Sequence, residues 1–132
     1  MESIRILLAD DHPGVRSRIR ARLSHESGFE IVGEAENSAR AIECALALRP
    51  DVVLIDPMMR DGLGIDATRQ IAARLPKTAV VVLTAFADTA QTIELRKAGS
   101  RYILNKGIES CKLVEILQEM GHGARIETPQ SK

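Results

Sequence analysis

The amino-acid sequence predicts an α/β fold in which five parallel strands alternate with five helices. Two patterns lead to this prediction. Short apolar runs of strand length recur along the chain, and segments with apolar residues at helical spacing lie between them. The runs VVLI and AVVVL are rich in β-branched residues and contain no polar interruption. Such runs are typical of a parallel sheet that is covered on both faces, whereas one-sided antiparallel strands alternate apolar with polar residues.

The N-terminal part of the chain contains the first two strand and helix units. The apolar runs Ile4 to Ala9 and Ile31 to Ala35 predict the strands. Pro13 suits the first turn of the first helix, and Ser38 is the predicted N-cap of the second. The first helix has apolar residues at Val15, Ile19 and Leu23, and the same spacing recurs in the second helix at Ile42, Ala45, Leu46 and the polar Arg49.

The C-terminal part supplies three more units. The predicted strands are Val52 to Ile55, Val80 to Leu83 and Tyr102 to Leu104. Helical stripes occur at Ile71 with Leu75, and at Leu113, Leu117 and Met120. Gly99 is predicted to end the fourth helix and Gly121 the fifth. One domain is therefore expected over residues 1–121, and residues 122–132, which lack a periodic apolar face, are expected to form a tail or the start of a linker.

Composition excludes several functional classes. The 132 residues include 18 basic and 18 acidic side chains, so no general field attracts nucleic acid, and three aromatic residues give no platform for stacking bases. Cys44 and Cys111 lack the spacing of a metal or redox motif. No apolar run has the length of a signal sequence or membrane span. We therefore expect a cytoplasmic protein with no membrane contact, no organic cofactor and no DNA contact of its own.

Polar side chains follow four of the five predicted strands. Asp10 and Asp11 follow the first strand, Asp56 the third, Thr84 the fourth and Lys106 the fifth. The carboxyl ends of parallel strands meet at one edge of the sheet, where ligands bind in this class of fold. Each of these residue types is common in turns by itself. Their joint occurrence after the first, third, fourth and fifth strands predicts a functional site.

The residue types at this edge point to phosphoryl chemistry. Crowded carboxylates repel one another, and a hard divalent cation relieves the repulsion. Mg²⁺ prefers such oxygen ligands together with water and phosphate oxygens. Asp56 directly follows the buried run VVLI, so it is the best candidate for a nucleophile that forms an aspartyl-phosphate. The ammonium of Lys106 and the hydroxyl of Thr84 can each hold a phosphoryl oxygen.

These motifs resemble the receiver domain of two-component response regulators. The resemblance runs from Ile4 to about Met120, through ILLADDHPGVR, RPDVVLIDPMM, VVVLTAFAD and the stretch that ends at Lys106. It implies a flavodoxin-like fold, a three-layer sandwich with strand order 2-1-3-4-5. The ADDHP opening is most similar to receivers that precede a helix-turn-helix DNA-binding domain of the LuxR type.

The resemblance implies a role for each candidate residue. Asp56 matches the phosphoacceptor, Thr84 the switch hydroxyl and Lys106 the lysine that pairs with the phosphoryl group. The implied Mg²⁺ ligands are Asp10, Asp11, Asp56 and the main-chain carbonyl of Met58. The implied phosphoryl donor is a phosphohistidine on a sensor histidine kinase. The resemblance therefore implies that the chain is not an enzyme. It is expected to be a phosphoacceptor that assists its own phosphotransfer and dephosphorylation.

The resemblance also implies the output of the switch. Phosphorylation is expected to change the face made by the fourth helix, the fifth strand and the fifth helix. That face would control a partner or a transcriptional output domain, which lies outside this chain and would make the DNA contacts. Because Ile103 has no aromatic ring to move, any gain in homodimerisation on phosphorylation is expected to be modest.

Three positions differ from the family pattern or have more than one interpretation. Arg60 stands where relatives usually have proline, and Ile103 stands where they usually have an aromatic switch residue. Either the aromatic signal is missing or the neighbouring Tyr102 takes it over, so we expect a smaller rearrangement centred on Phe86 and Tyr102. His12 is expected to fix the loop after the first strand rather than to bind metal.

Two alternative functions lack a residue type that they need. A phosphohydrolase with an aspartate nucleophile normally has a second Asp two residues later, where this chain has Met58. A flavin or nucleotide module would have a phosphate loop rich in Gly and Ser or Thr after the first strand, where this chain has DDHPG.

Overall fold

The computed structural model describes residues 3–85 and 87–126, and within them five strands alternate with five helices. The elements are β1 (Ile4–Ala9), α1 (Pro13–Ser24), β2 (Phe29–Ala35), α2 (Ser38–Leu48), β3 (Val52–Ile55), α3 (Gly64–Arg74), β4 (Ala79–Thr84), α4 (Thr89–Lys97), β5 (Tyr102–Asn105) and α5 (Ser110–Ile126). All paired strands are parallel and their order is β2-β1-β3-β4-β5. The structure thus confirms the flavodoxin-like fold and places each predicted strand to within two residues.

Helices cover both faces of the sheet, so the domain has three layers. On one face, α2, α3 and α4 pack on the sheet through residues such as Ala45, Ile71 and Leu95. On the other face, α1 and α5 pack through residues such as Leu23 and Leu117. All four residues of β3 are buried, because this strand lies at the centre with neighbours on both sides. Polar residues that directly follow β3 are therefore attached to a buried strand at the centre of the sheet.

The N-cap of α2 lies one residue before the predicted one. Asn37 is the cap, since its side-chain oxygen accepts a hydrogen bond from Arg40 N at 2.8 Å. Ser38 is already helical, and its hydroxyl donates to Asp61 at 2.9 Å. The prediction that Ser38 caps α2 was wrong, because its hydroxyl donates to Asp61 in a tertiary contact and not to the end of the helix. Pro13 at the first turn of α1 is confirmed.

The two glycines predicted to end helices behave differently. Gly99 has a left-handed φ of 108° and follows α4, as predicted. The helix α5 continues past Gly121 to Ile126, so Gly121 was wrongly predicted to end it. A Cβ at Gly121 would lie 2.7–2.8 Å from the Ile4 side chain, so the glycine lets α5 approach β1 closely. Residues 127–132 of the predicted tail lie outside the described residues. None of the helices in the described ranges has the length and hydrophobicity needed to cross a membrane.

Candidate functional site

Two of the predicted carboxylates lie side by side at the carboxyl edge of the sheet. Asp10 follows Ala9 of β1, and Asp56 follows Ile55 of β3, the residue paired with Ala9. The Asp56 amide continues this pairing by donating to the Ala9 carbonyl at 2.9 Å. Asp10 and Asp56 are only 4% and 5% exposed. Two charges at such depth are costly unless a cation compensates them.

Lys106 supplies that cation. Its Nζ lies 2.8 Å from Asp10 Oδ2 and 2.8 Å from Asp56 Oδ2. The Lys106 amide donates to the Thr84 carbonyl at 2.9 Å, which anchors the residue where β5 ends. Burial lowers the pKa of Lys106, but hydrogen bonds and charges from Asp10 and Asp56 outweigh burial and hold the pKa above its usual value. The structure therefore brings Asp10, Asp56 and Lys106 together as one ion-paired cluster.

The second oxygen of Asp56 is held by its own loop. Met58 N donates to Asp56 Oδ1 at 2.9 Å, so the main chain of Met58 lies beside the carboxylate. The Met58 side chain is partly exposed, and its Sδ accepts from Gln91 Nε2 at 3.6 Å. Asp56 thus has one oxygen on a protein cation and the other on a main-chain amide, which fixes its orientation.

Asp11 has a different environment for each of its oxygens. Oδ2 accepts hydrogen bonds from Arg60 N at 2.7 Å and from Arg60 Nε at 3.2 Å. Oδ1 is buried and has no hydrogen-bond partner among the described residues, although His12 Nδ1 is 2.9 Å away. Burial raises the pKa of Asp11, but the hydrogen bonds from Arg60 and the charges of His12 and Arg60 outweigh it and hold the pKa below its usual value. Asp11 therefore stays ionised, and its Oδ1 lies beside His12 without a hydrogen bond from the described residues.

The donor atoms of this site fit a hard divalent cation. One atom each from Asp10, His12 and Asp56 lie within 4.8 Å of one another, and the unsatisfied Asp11 Oδ1 lies beside His12. Carboxylate oxygens are the ligands that Mg²⁺ prefers, whereas an imidazole nitrogen suits softer metals. His12 also holds the loop, because its amide donates to Asp10 Oδ1 at 2.9 Å and its Nδ1 is 3.0 Å from the same oxygen. The residues present therefore fit Mg²⁺ on oxygen ligands.

Thr84 lies one strand away from Asp56, at the end of β4. It is buried, pairs with Asn105 of β5 and lines a groove of about 250 Å³ beside α4. The other residues lining this groove are Ala87, Thr92, Arg96, Ile103, Leu104 and Asn105. We call it the α4–β5 groove.

Ile103 and Tyr102 point to opposite faces of the sheet. Ile103 packs against the α2, α3 and α4 face and lines the α4–β5 groove. Tyr102 packs against the α1 and α5 face, where its hydroxyl donates to Glu119 Oε1 at 3.3 Å. The charge of Glu119, burial and this hydrogen bond raise the pKa of Tyr102. Adjacent strand residues alternate between faces, so Tyr102 cannot take over the position of Ile103. Phe86 lies outside the described residues.

Sequence reasoning missed the residues that hold the loop between β3 and α3. Asp61 accepts hydrogen bonds from Ser38 N at 2.7 Å and from Leu63 N at 2.9 Å. Burial raises the pKa of Asp61, but its hydrogen bonds from Leu63 and Ser38 outweigh burial and lower the pKa. The contact between Arg60 and Asp11 spans 49 positions of the chain, so no local pattern indicates it. The Asp61-Gly62 pair is a recognisable turn signal, and Gly62 has a φ of 75°.

Known proteins share the sequence pattern and the fold of this chain. The family model of the response regulator receiver domain matches residues 6–118. The transcriptional regulatory protein LiaR of Bacillus subtilis is 33% identical over 120 residues, which are 91% of this chain and 57% of LiaR. The chain thus spans little more than half the length of this relative.

Two solved structures have a fold similar to that of this chain. The receiver domain assigned to NarL from Mycobacterium tuberculosis has a TM-score of 0.86 and 28% identity, covering 93% of this chain and 99% of that one. A LuxR-family two-component response regulator from Aurantimonas has a TM-score of 0.85 and 27% identity, covering 92% of this chain and 87% of that one.

Proposed function

Because the chain belongs to the family of response regulator receiver domains, which are signalling domains, and is similar to LuxR-type regulators, we propose that it is a phosphorylation-controlled switch. Asp56 accepts the phosphoryl group. The observation that carries this proposal is the position of Lys106 Nζ, at 2.8 Å from both Asp10 and Asp56. The proposed nucleophile thereby lies next to a cation that can hold a phosphoryl oxygen.

Asp10, Asp11, Asp56 and the main-chain carbonyl of Met58 are the proposed ligands of Mg²⁺. When bound, Mg²⁺ supplies charge neutralisation for the carboxylates and the phosphoryl oxygens. The unsatisfied Asp11 Oδ1 and the nearby donor atoms of Asp10 and Asp56 support this assignment.

The residues of the chain perform the transfer itself. An Asp56 oxygen attacks the phosphorus of a phosphohistidine, the new O–P bond forms, and the N–P bond to the donor imidazole breaks. Lys106 Nζ then moves its contact from the Asp56 carboxylate to a phosphoryl oxygen, and the Thr84 hydroxyl donates to another phosphoryl oxygen. In dephosphorylation, water attacks the phosphorus and restores the carboxylate with release of inorganic phosphate.

The chain would act as the receiver part of a longer regulator. LiaR is a transcriptional regulatory protein, and this chain spans 57% of its length. We accordingly propose that this chain is cytoplasmic, that a sensor histidine kinase is the phosphoryl donor, and that a DNA-binding output domain receives the signal. A modest homodimer through the α4, β5 and α5 face is the proposed response of the receiver itself.

Phosphorylation by a small donor tests the proposal. Acetyl phosphate or phosphoramidate with Mg²⁺ should add one phosphoryl group to the chain, and Asp56→Asn should prevent it. Intact-mass spectrometry measures the modification. Asp66→Asn is the matched control, because it changes an exposed aspartate on α3 that pairs with Arg69. Equal labelling of Asp56→Asn and the wild type would show that Asp56 is not the acceptor.

A further inference from the structure

Arg60 makes two contacts with one oxygen of Asp11. Its main-chain N–H donates to Asp11 Oδ2 at 2.7 Å, and its Nε donates to the same oxygen at 3.2 Å. The Arg60 side chain is 81% exposed, whereas the Asp11 side chain is 9% exposed. A guanidinium that is otherwise in solvent therefore closes over a nearly buried carboxylate at the edge of the site.

This contact leaves each carboxylate of the site next to a protein cation. Lys106 lies between Asp10 and Asp56, and Arg60 lies on Asp11. A divalent cation that binds Asp11 must then either displace the guanidinium or accept a positive charge as a close neighbour. Both cost free energy, and both depend on the charge of Arg60 rather than on its main chain.

The main-chain contact and the side-chain contact have separable effects. The N–H of residue 60 orients Asp11 whatever the side chain, provided that the residue is not proline. The guanidinium adds charge to that hydrogen bond. Substitutions of Arg60 that keep the amide and remove the charge therefore isolate the electrostatic effect.

We propose that the Arg60 guanidinium competes with Mg²⁺ for Asp11 and so raises the Mg²⁺ concentration at which the site is filled. This inference rests on the proposed function, because it takes Asp11 as a Mg²⁺ ligand. The competition needs no rearrangement of the sheet, since the exposed side chain of Arg60 can swing into solvent.

The test is a Mg²⁺ titration of the whole chain, without any phosphoryl donor, followed by amide chemical shifts at residues 10, 11 and 56. Arg60→Ala should bind Mg²⁺ roughly two- to fivefold more tightly than the wild type at low ionic strength, the range expected for one exposed ion pair. The gain should shrink as salt is added, because salt screens the guanidinium. Arg60→Lys keeps the charge and should bind as the wild type does.

Two further variants complete the design. Arg60→Gln removes the charge but keeps a long polar side chain, so it should reproduce the tighter binding if Arg60→Ala disturbs the loop. Arg69→Ala is the matched control, because Arg69 is exposed and pairs with Asp66 on α3. It should leave Mg²⁺ binding unchanged.

The outcomes separate this inference from the proposed function. If the wild type binds Mg²⁺ and both neutral variants bind it with unchanged or weaker affinity, the competition is refuted and the switch proposal stands. A gain that is insensitive to salt would likewise refute a role for the charge. If no protein of the set binds Mg²⁺, both the inference and the metal-dependent switch are refuted.

Discussion

At the scale of single residues, the ammonium of Lys106 bridges the neighbouring carboxylates of Asp10 and Asp56. Both carboxylates are almost fully buried, and Lys106 Nζ is 2.8 Å from each. Removing one partner from a buried ion pair leaves an uncompensated charge, which costs more than the pair itself contributes. The same three side chains thus determine the stability of this edge and its proposed chemistry.

Lys106→Met should lower the free energy of unfolding by about 2 kcal/mol at neutral pH. This loss lies between those expected for breaking an exposed ion pair and a fully buried one. The lysine pKa is raised in the folded state, so the ion pairs stabilise the wild type fully below the ordinary lysine pKa of 10.5. That stabilisation is lost as pH rises through the higher folded pKa. The difference between wild type and variant should therefore shrink in strongly alkaline solution.

Urea denaturation at neutral and at alkaline pH measures this difference. Lys112→Met is the matched control, because Lys112 lies exposed in the first turn of α5. A Lys106→Met variant as stable as the wild type at neutral pH would contradict the argument.

At the scale of elements, the loop between β3 and α3 holds the proposed nucleophile through close backbone contacts. A Cβ at Gly64 would lie 2.2 Å from the carbonyl oxygen of Pro57, the residue after Asp56. Asp61 ties the same loop to the start of α2 through Ser38. The start of α3 therefore packs directly on the chain that follows Asp56.

Gly64→Ala should destabilise the domain by about 1–3 kcal/mol, because the added methyl group must push the Pro57 backbone aside. It should also slow phosphorylation of Asp56 by a small donor, since the displaced backbone is adjacent to the acceptor. Gly14→Ala is the control: no atom lies within 4 Å of its added Cβ, and Gly14 lies in α1.

Alanine favours a helix over glycine, so Gly14→Ala should be neutral or stabilise by about 0.5 kcal/mol. Thermal denaturation and the rate of labelling by acetyl phosphate measure the two effects. Equal stability of the two variants would show that the contact with Pro57 is unimportant.

Strand β5 presents its adjacent residues Ile103 and Tyr102 to opposite faces of the sheet. Ile103 lines the α4–β5 groove together with Thr84, whereas Tyr102 contacts Glu119 of α5 on the other face. An aromatic ring at Tyr102 therefore cannot move into the groove. The groove of about 250 Å³ is bordered instead by the short side chain of Ile103.

At the scale of the whole molecule, the proposed signal runs from Asp56 through Thr84 to the α4–β5 groove. A phosphoryl group adds about −1.5 to −2 charges and draws hydrogen-bond donors toward it. The Thr84 hydroxyl is the proposed donor on the side of the groove. Because Ile103 has no ring to move, we expect a smaller rearrangement than in relatives with an aromatic residue, and with it a modest dimer.

Thr84→Ala should leave phosphorylation of Asp56 intact but remove most of the response in the groove. The measurement compares amide shifts of free and beryllofluoride-bound protein at the groove residues Thr92, Arg96 and Ile103. Thr92→Ala is the matched control, since this groove threonine donates to the Asp88 carbonyl of its own helix cap. An undiminished response in Thr84→Ala would contradict the proposed coupling.

The succession of strands and helices, and the residues that meet at the carboxyl edge, follow from local patterns in the amino-acid sequence. Apolar periodicity is a local property, and parallel strands bring their carboxyl ends to one edge whatever their order. These two rules were sufficient to bring Asp10, Asp56 and Lys106 together. The strand order 2-1-3-4-5 came from family resemblance and not from the residue pattern.

Details that depend on contacts between distant residues become visible only in the folded chain. Ser38 is not the N-cap of α2 because Asp61 uses its hydroxyl, and Gly121 does not end α5 because it packs against Ile4. The Arg60 contact with Asp11 joins residues 49 positions apart. The local sequence pattern determines which secondary structure each segment prefers. Which side chains contact one another depends on how the segments pack together. For this reason the residues at the strand ends could be predicted from the sequence. The contacts that hold them in place could not.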